Sequence, residues 1–356
     1  MFVLLCEWMR KRYLERDRTD TALPELMLVQ RSISADCWEP RDYVYSAYSM
    51  ADRIPSQPPE SYHESGTKSI YVYRPQIDYT SDAKDVYIQA SQYLNVVSGQ
   101  PLSLSLTDGP PSHQPSWSTN WETRTKRYLL NRPNSGFSAS RRSQSKQFST
   151  EIILAPDDTK SPRLRCTGRI VDAIRKTSDY LPSRRHCDHY ILGDNCFFFL
   201  TWYEFAQENT RCAENDVLLE YVDTIQARGC GHLWEYMGNT PRDRIQKVRD
   251  FLSFLSNEDA EDSDVTHSIR IFHAACFPSH DRRFAITQKD HFCLVPKNTR
   301  GGDLVCIPSN SRVPYIFRPR TEGDGYLNIG ETYVHGMMDG ELSESEDPEE
   351  TEFLLY

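Results

Sequence analysis

Residues 281–342 constrain the fold more than any other stretch, because apolar residues recur there at every second position between short polar breaks. Phe284 and Ile286, Phe292 and Leu294, Leu304 and Cys306, Ile316, and Leu327 and Ile329 mark the successive runs. Alternate side chains of an extended strand point to opposite faces, so this spacing predicts strands with one buried face. The breaks carry turn chemistry. Gly301-Gly302-Asp303 and Asp324-Gly325 supply residues that reach positive φ in tight hairpins. The expectation is about five antiparallel strands closing into a small sheet or barrel. Nothing in the stretch has the makeup of an active site.

Ahead of it, helical patterns dominate. Residues 36–51 read as a helix with Pro40 in its first turn and Val44, Ala47, Tyr48 and Ala51 on one face. Arg41 and Asp42 at its start are expected to fix how the chain enters the helix. Residues 52–76, with Pro55, Pro58, Pro59 and Pro75, read as a long surface loop. Thr80 or Ser81 is then expected to cap a helix whose stripe is Ala83, Val86, Tyr87, Ala90 and Leu94. Trp117 and Trp121 follow in a loop, where plugging a gap between helices is a commoner role than stacking on a ligand.

Residues 122–165 read as a basic, Ser-rich disordered insertion carrying Arg124, Lys126, Arg127, Arg132, Arg141, Arg142 and Lys146. Its aromatics, Tyr128, Phe137 and Phe148, are too sparse for a base-stacking platform. Helices return over 166–280. The clearest runs from Glu214 to Gly229, with Val217, Leu218, Tyr221, Val222 and Ile225 on one side. Residues 343–356 read as an acidic, disordered tail ending in Phe353-Leu354-Leu355-Tyr356. The fold class expected is α+β: an irregular, mainly α-helical body over 1–121 and 166–280, then a small C-terminal antiparallel β sheet or barrel at 281–342.

Composition excludes some functions. A net charge of −10 argues against general nucleic-acid binding by bulk electrostatics. The chain's 10 cysteines have no regular spacing and read as reduced thiols of the cytosol or nucleus. The apolar run at the start stops at Glu7, without a basic leader or a small-residue cleavage site. It is expected to form an amphipathic helix with Phe2, Leu5, Met9 and Tyr13 on its buried side. No stretch approaches the roughly twenty apolar residues that span a bilayer.

Candidate chemistry is thin. His186, Cys187, His189 and Cys196, with Cys212, Cys230 and His232 beyond, are zinc-type donors, but no Cys-x2-Cys pair occurs among them. No cysteine lies in a nucleophile motif, and there is no phosphate loop, Gly-x-Ser-x-Gly or His-Glu-x-x-His. His335 reads as a strand-end histidine bonded to backbone. The expectation is therefore no catalytic residue, no metal ligand and no cofactor. Two other readings stay open: nucleic-acid binding through the small barrel with segment 124–146, and a thiol- or metal-dependent enzyme.

Arg282-Arg283-Phe284, Gly302-Asp303-Leu304-Val305-Cys306, Val313-Pro314-Tyr315 and the block Gly330 to Glu341, GETYVHGMMDGE, occur in that order. They resemble the C-terminal module of fungal heterokaryon incompatibility (HET) domain proteins. Cys37, Pro40, Arg41, Asp42, Val44 and Tyr45 resemble a second block of the same family, and Asp78-Tyr79, Val86-Tyr87 and Tyr93-Leu94 a third. Pro115-Ser116-Trp117 with Asn120-Trp121 resembles a fourth. The resemblance implies a cytoplasmic, non-enzymatic interaction or regulatory part of a self/non-self recognition protein linked to programmed cell death, with protein partners. The family's N-terminal effector motifs are missing from this sequence. The expectation is thus a chain without its effector half, to which no death-inducing or nucleotide-cleaving activity carries over.

Overall fold

A computed structural model of the chain describes residues 37–50, 77–107, 109, 114–122, 127–132, 135–140, 150–153, 162–181, 192–210, 214–229, 243, 246, 249–250, 276–341 and 349–356. The α-helices of the described residues, in chain order, are α1 (Asp42–Met50), α2 (Ala83–Ser98), α3 (Leu102–Ser105), α4 (Leu192–Asn209) and α5 (Glu214–Ile225). The strands are β1 (Thr150–Ile153), β2 (Arg163–Leu181), β3 (Arg282–Thr287), β4 (Phe292–Pro296), β5 (Leu304–Pro308), β6 (Tyr315–Pro319), β7 (Tyr326–Glu331), β8 (Tyr333–Val334) and β9 (Thr351–Leu355). The class is α+β, as the sequence pattern predicts.

All five expected strands of 281–342 form, and Gly302 and Gly325 take positive φ in the turns assigned to them. They do not close on themselves. β3 pairs with β4, β4 with β8, and β7, one residue before β8, with β6. β6 pairs with β5, and the ring is completed by β2, which pairs with β5 through Gly168–Ala173 and with β3 through Ile174–Leu181. Register shifts between Ile170 and Asp172, Ile174 and Lys176, and Thr177 and Tyr180 mark bulges along β2. Bulges bend a strand and raise its twist, which is how one 19-residue strand curves round the barrel wall.

The predicted single buried face is corrected by the packing: both faces of the barrel strands are buried. Ala285, Cys293, Val295, Val305, Ile307, Ile316, Ile329 and Val334 form one cluster with Val171 and Ile174 of β2. These small and β-branched side chains fill the interior, where space is tight. The alternate residues Phe284, Ile286, Phe292 and Leu294 share an outer cluster with Phe199 and Trp202 of α4 and Tyr221 and Val222 of α5, and Tyr315 and Phe317 belong to the same cluster, Phe317 against Phe353 of β9. Phe284 sits where these helices cover it.

Three expectations about the rest of the chain change. Within 166–280, expected to be helical, the stretch up to Leu181 belongs to β2. Within the expected disordered insertion 122–165, Leu129, Leu130 and Phe137 are buried and Thr150–Ile153 pairs with β2. Within the expected disordered tail, β9 pairs with β2, and Phe353 and Leu355 are fully buried. In β2 and β9, apolar residues at alternate positions find a barrel wall that no local pattern reveals.

The α2 stripe holds: Val86, Tyr87, Ala90 and Leu94 are buried in a second core with Val44, Tyr45, Leu102, Leu106, Trp121 and Leu129. Its N-cap is Asp82, one residue beyond the expected Ser81, and makes no capping hydrogen bond. Asp78 instead organises the preceding turn, accepting from the Thr80 main-chain N–H at 2.8 Å and the Ser81 hydroxyl at 2.8 Å. The α5 stripe Val217, Leu218, Tyr221, Val222 and Ile225 is buried as expected. The expected amphipathic helix at the start and the loop 52–76 lie outside the described residues.

Candidate functional site

The family-like blocks meet in a buried polar lattice where the barrel joins residues 100–131. Arg282, in the first position of β3, and Glu331, in the last of β7, are both wholly buried. Arg282 Nη2 donates to Glu331 Oε1 at 2.9 Å and to the Tyr128 carbonyl at 3.0 Å, and Nη1 donates to the Glu331 carbonyl at 2.9 Å. The Glu331 carboxylate accepts from the main-chain N–H groups of Leu130 at 2.7 Å and Asn131 at 3.1 Å. A buried carboxylate is tolerable only when its lone pairs are satisfied in this way. The pair thereby fastens 128–131 across the barrel wall.

Neighbouring polar groups extend the junction. The Asn328 side-chain amide donates to Thr107 Oγ1 at 2.6 Å and the Leu104 carbonyl at 3.1 Å, while its main-chain N–H donates to Ser116 Oγ at 2.9 Å. The Tyr315 hydroxyl donates to the Pro101 carbonyl at 3.1 Å and accepts from Asn131 Nδ2 at 3.1 Å. Burial pushes the Tyr315 phenol above its ordinary range, keeping it neutral and able to donate. Asp303 and Arg318 make a second pair, fork to fork at 2.7 and 2.8 Å, which ties the turn before β5 to β6.

The residues singled out from sequence have separate fates. Trp117 is fully buried and donates from Nε1 to the Pro162 carbonyl at 3.1 Å, and Trp121 is buried in the helical core, so both plug gaps. Arg41 pairs with Glu39 at 2.6 Å rather than with Asp42, and donates to the Tyr79 and Ser81 carbonyls. Asp42 accepts from the Tyr79 hydroxyl at 2.6 Å, so the two residues brace α1 against the turn before α2. His335 donates its main-chain N–H to the Phe292 carbonyl at 2.9 Å.

Of the basic segment, Arg127 is buried and donates to the Ser105 and Thr107 carbonyls at 3.1 and 2.9 Å. Arg132 lies over the Tyr128 ring at 4.0 Å. Arg124, Lys126, Arg141, Arg142 and Lys146 lie outside the described residues. So do His186, Cys187, His189, Cys212, Cys230 and His232, and the side chain of Cys196. Among the described residues, no group of His, Cys, Asp and Glu is arranged to hold a metal ion. Of the described cysteines, Cys166, Cys276, Cys293 and Cys306 are buried. Burial pushes the Cys166 thiol up to about 12 and those of Cys293 and Cys306 well above the ordinary range, which is unfavourable to a nucleophilic thiolate.

Sequence reasoning did not single out Glu331, Asn328 or Tyr315 as a unit. One signal was present: a glutamate and an asparagine sit in an otherwise apolar strand, a pattern that requires buried partners.

Residues 218–355 match the family model of the Het-6 beta-barrel domain. The matched stretch holds the strands β3 to β9. The match is to a HET-associated domain and is consistent with the motif resemblance. No curated protein and no solved structure matches the chain. β2, which completes the barrel, lies upstream of the matched residues. No described helix is long and apolar enough to cross a membrane.

Proposed function

We propose that this chain is a non-enzymatic interaction or regulatory part of a HET-type fungal self/non-self recognition system, working in the cytoplasm with protein partners. The observation that supports this most is where the family-like blocks are spent. Arg282 and Glu331 fasten residues 128–131 to the barrel, and Asp303 and Arg318 tie the turn before β5 to β6, all through internal bonds. Residues used in that way build a rigid surface for contacts, and function then lies in what the surface receives. In this reading the death-inducing chemistry belongs to an effector domain carried by another segment or chain.

The test is expression in vegetative fungal cells, alone and beside a complete HET-type protein. The expected outcome is normal growth alone and an altered incompatibility response in the pair. Growth arrest by this chain alone, or cleavage of nucleotides by the purified protein, overturns the reading.

A further inference from the structure

We propose that the groove between β2 and β7, filled here by β9, is a strand-receiving site for a partner protein, taking an extended acidic segment with Phe-x-Leu spacing, and that β9 is its resident competitor. The proposal rests on the interaction reading above and names the surface that would carry it.

The barrel closes without β9, since β2 pairs directly with β5 and β3, and β4 with β8. β9 is an addition to that ring. It pairs antiparallel with β2 from Leu164↔Leu355 to Gly168↔Thr351 and touches β7 in parallel at Tyr326↔Leu355. Main-chain pairing with pockets for alternate side chains is how an added peptide strand is recognised. Phe353 and Leu355 fill those pockets. The Phe353 ring meets Phe317 at 5.1 Å and Tyr326 at 5.4 Å between centroids, both edge-on.

The groove is cleared for a strand at two glycines. A Cβ on Gly325 would stand 2.6 Å from the Leu354 carbonyl oxygen and from the Tyr356 ring. A Cβ on Gly168 would stand 3.0 Å from the Phe353 ring. The rim is basic and its occupant acidic. Arg165 Nε lies 3.3 Å from Glu352 Oε1, and Arg163 and Arg320 lie over the Tyr356 ring at 4.4 and 3.8 Å. Glu349 and Glu350 precede β9 in sequence. Charge complementarity of this kind selects acidic strands over basic ones.

The probe is a fluorescent peptide of residues 349–356 added to the full chain. A groove already filled in cis lowers apparent affinity in proportion to the fraction open. The full chain carrying Phe353→Ala is therefore expected to bind the peptide on the order of tenfold tighter than the unaltered chain. A peptide carrying the same substitution is expected not to bind. A folded Phe353→Ala chain that binds no peptide overturns the proposal. So does a chain that dimerises through exchange of β9 while leaving peptide unbound, which makes a second copy the occupant.

Should Phe353→Ala unfold the protein, hydrogen exchange on the unaltered chain decides. Amides of 351–355 opening well before those of β5 and β6 support a releasable strand, and opening only with global unfolding overturns it. Peptide binding without any effect in the paired-expression assay upholds the groove and removes the incompatibility reading; the converse removes only the groove.

Discussion

Arg282 Nη2 and Glu331 Oε1 stand 2.9 Å apart with both side chains wholly excluded from solvent. Removing one partner from a buried pair leaves an uncompensated charge, which costs about 3–5 kcal/mol. Arg282→Met is expected to destabilise on that scale, read from urea midpoints. Glu331→Leu is expected to cost at least as much, because it also strips the acceptors from Leu130 N–H and Asn131 N–H. The double change is expected to cost clearly less than the sum of the two, since neither charge is then stranded. Additive losses rule out the coupling described.

Gly168 tests how tightly β2 seats against β5. A Cβ there would lie 2.6 Å from the Ile307 carbonyl oxygen and from Pro308 Cα, both backbone atoms that cannot swing aside. Gly168→Ala is expected to cost about 1–3 kcal/mol, the scale of overpacking. Gly330 in β7 is constrained differently. Its φ of +133° favours glycine, and a Cβ would crowd Arg127 Nη1 and Pro296 Cγ at 3.2 Å each. Gly330→Ala is expected to loosen the packing of Arg127, seen as a lower melting temperature and faster exchange around Ser105 to Thr107.

The five strands between Arg282 and Glu331 were legible because each is short, alternates cleanly and ends in turn residues. The α5 stripe was legible for the equivalent reason at helical spacing. β2 was not. Leu164 and Cys166 face the outer core, whereas Val171 and Ile174 face the interior, since bulges shift the phase midway. No window of sequence therefore holds a sustained period of two, although Thr167, Ile170, Val171 and Ile174 favour strand. β9 was hidden by the acids that precede it, which outweigh the four apolar residues at its end in a compositional reading. The polar lattice was illegible because Arg282 and Glu331 are 49 residues apart and meet only once the barrel closes.

His335 gives the fold an acid sensitivity with a definite sign. Burial first, then the Arg228 charge and His291, hold its imidazole below the ordinary range, with Glu341 opposing. The unfolded chain takes up a proton near pH 6.5, about the free imidazole value, while the folded chain resists it. Stability contributed by the neutral ring is therefore intact above that pH and declines as pH falls toward the lower folded value. A His335→Gln chain is expected to lose less stability than the unaltered one on going from about pH 7 to about pH 5, measured by denaturant melts. An equal loss assigns the acid sensitivity to other groups.

Thiol reactivity separates a binding scaffold from a thiol enzyme at the described positions. A thiolate attacks and a thiol does not, so a cysteine whose pKa is pushed up by burial labels slowly near neutral pH. Cys166 at about 12, and Cys293 and Cys306 well above the ordinary range, are also buried from reagent, Cys293 in the barrel interior and Cys166 and Cys306 in the outer core. Their labelling should follow barrel opening and accelerate with denaturant rather than with pH alone. Partial burial and Asp42 raise the pKa of Cys37, but it alone among the described thiols is partly exposed, so it should label first. Maleimide labelling mapped by peptide mass spectrometry reads each position separately. Labelling of Cys166 or Cys293 in the native chain as fast as Cys37 contradicts the packing and reopens a nucleophilic role there.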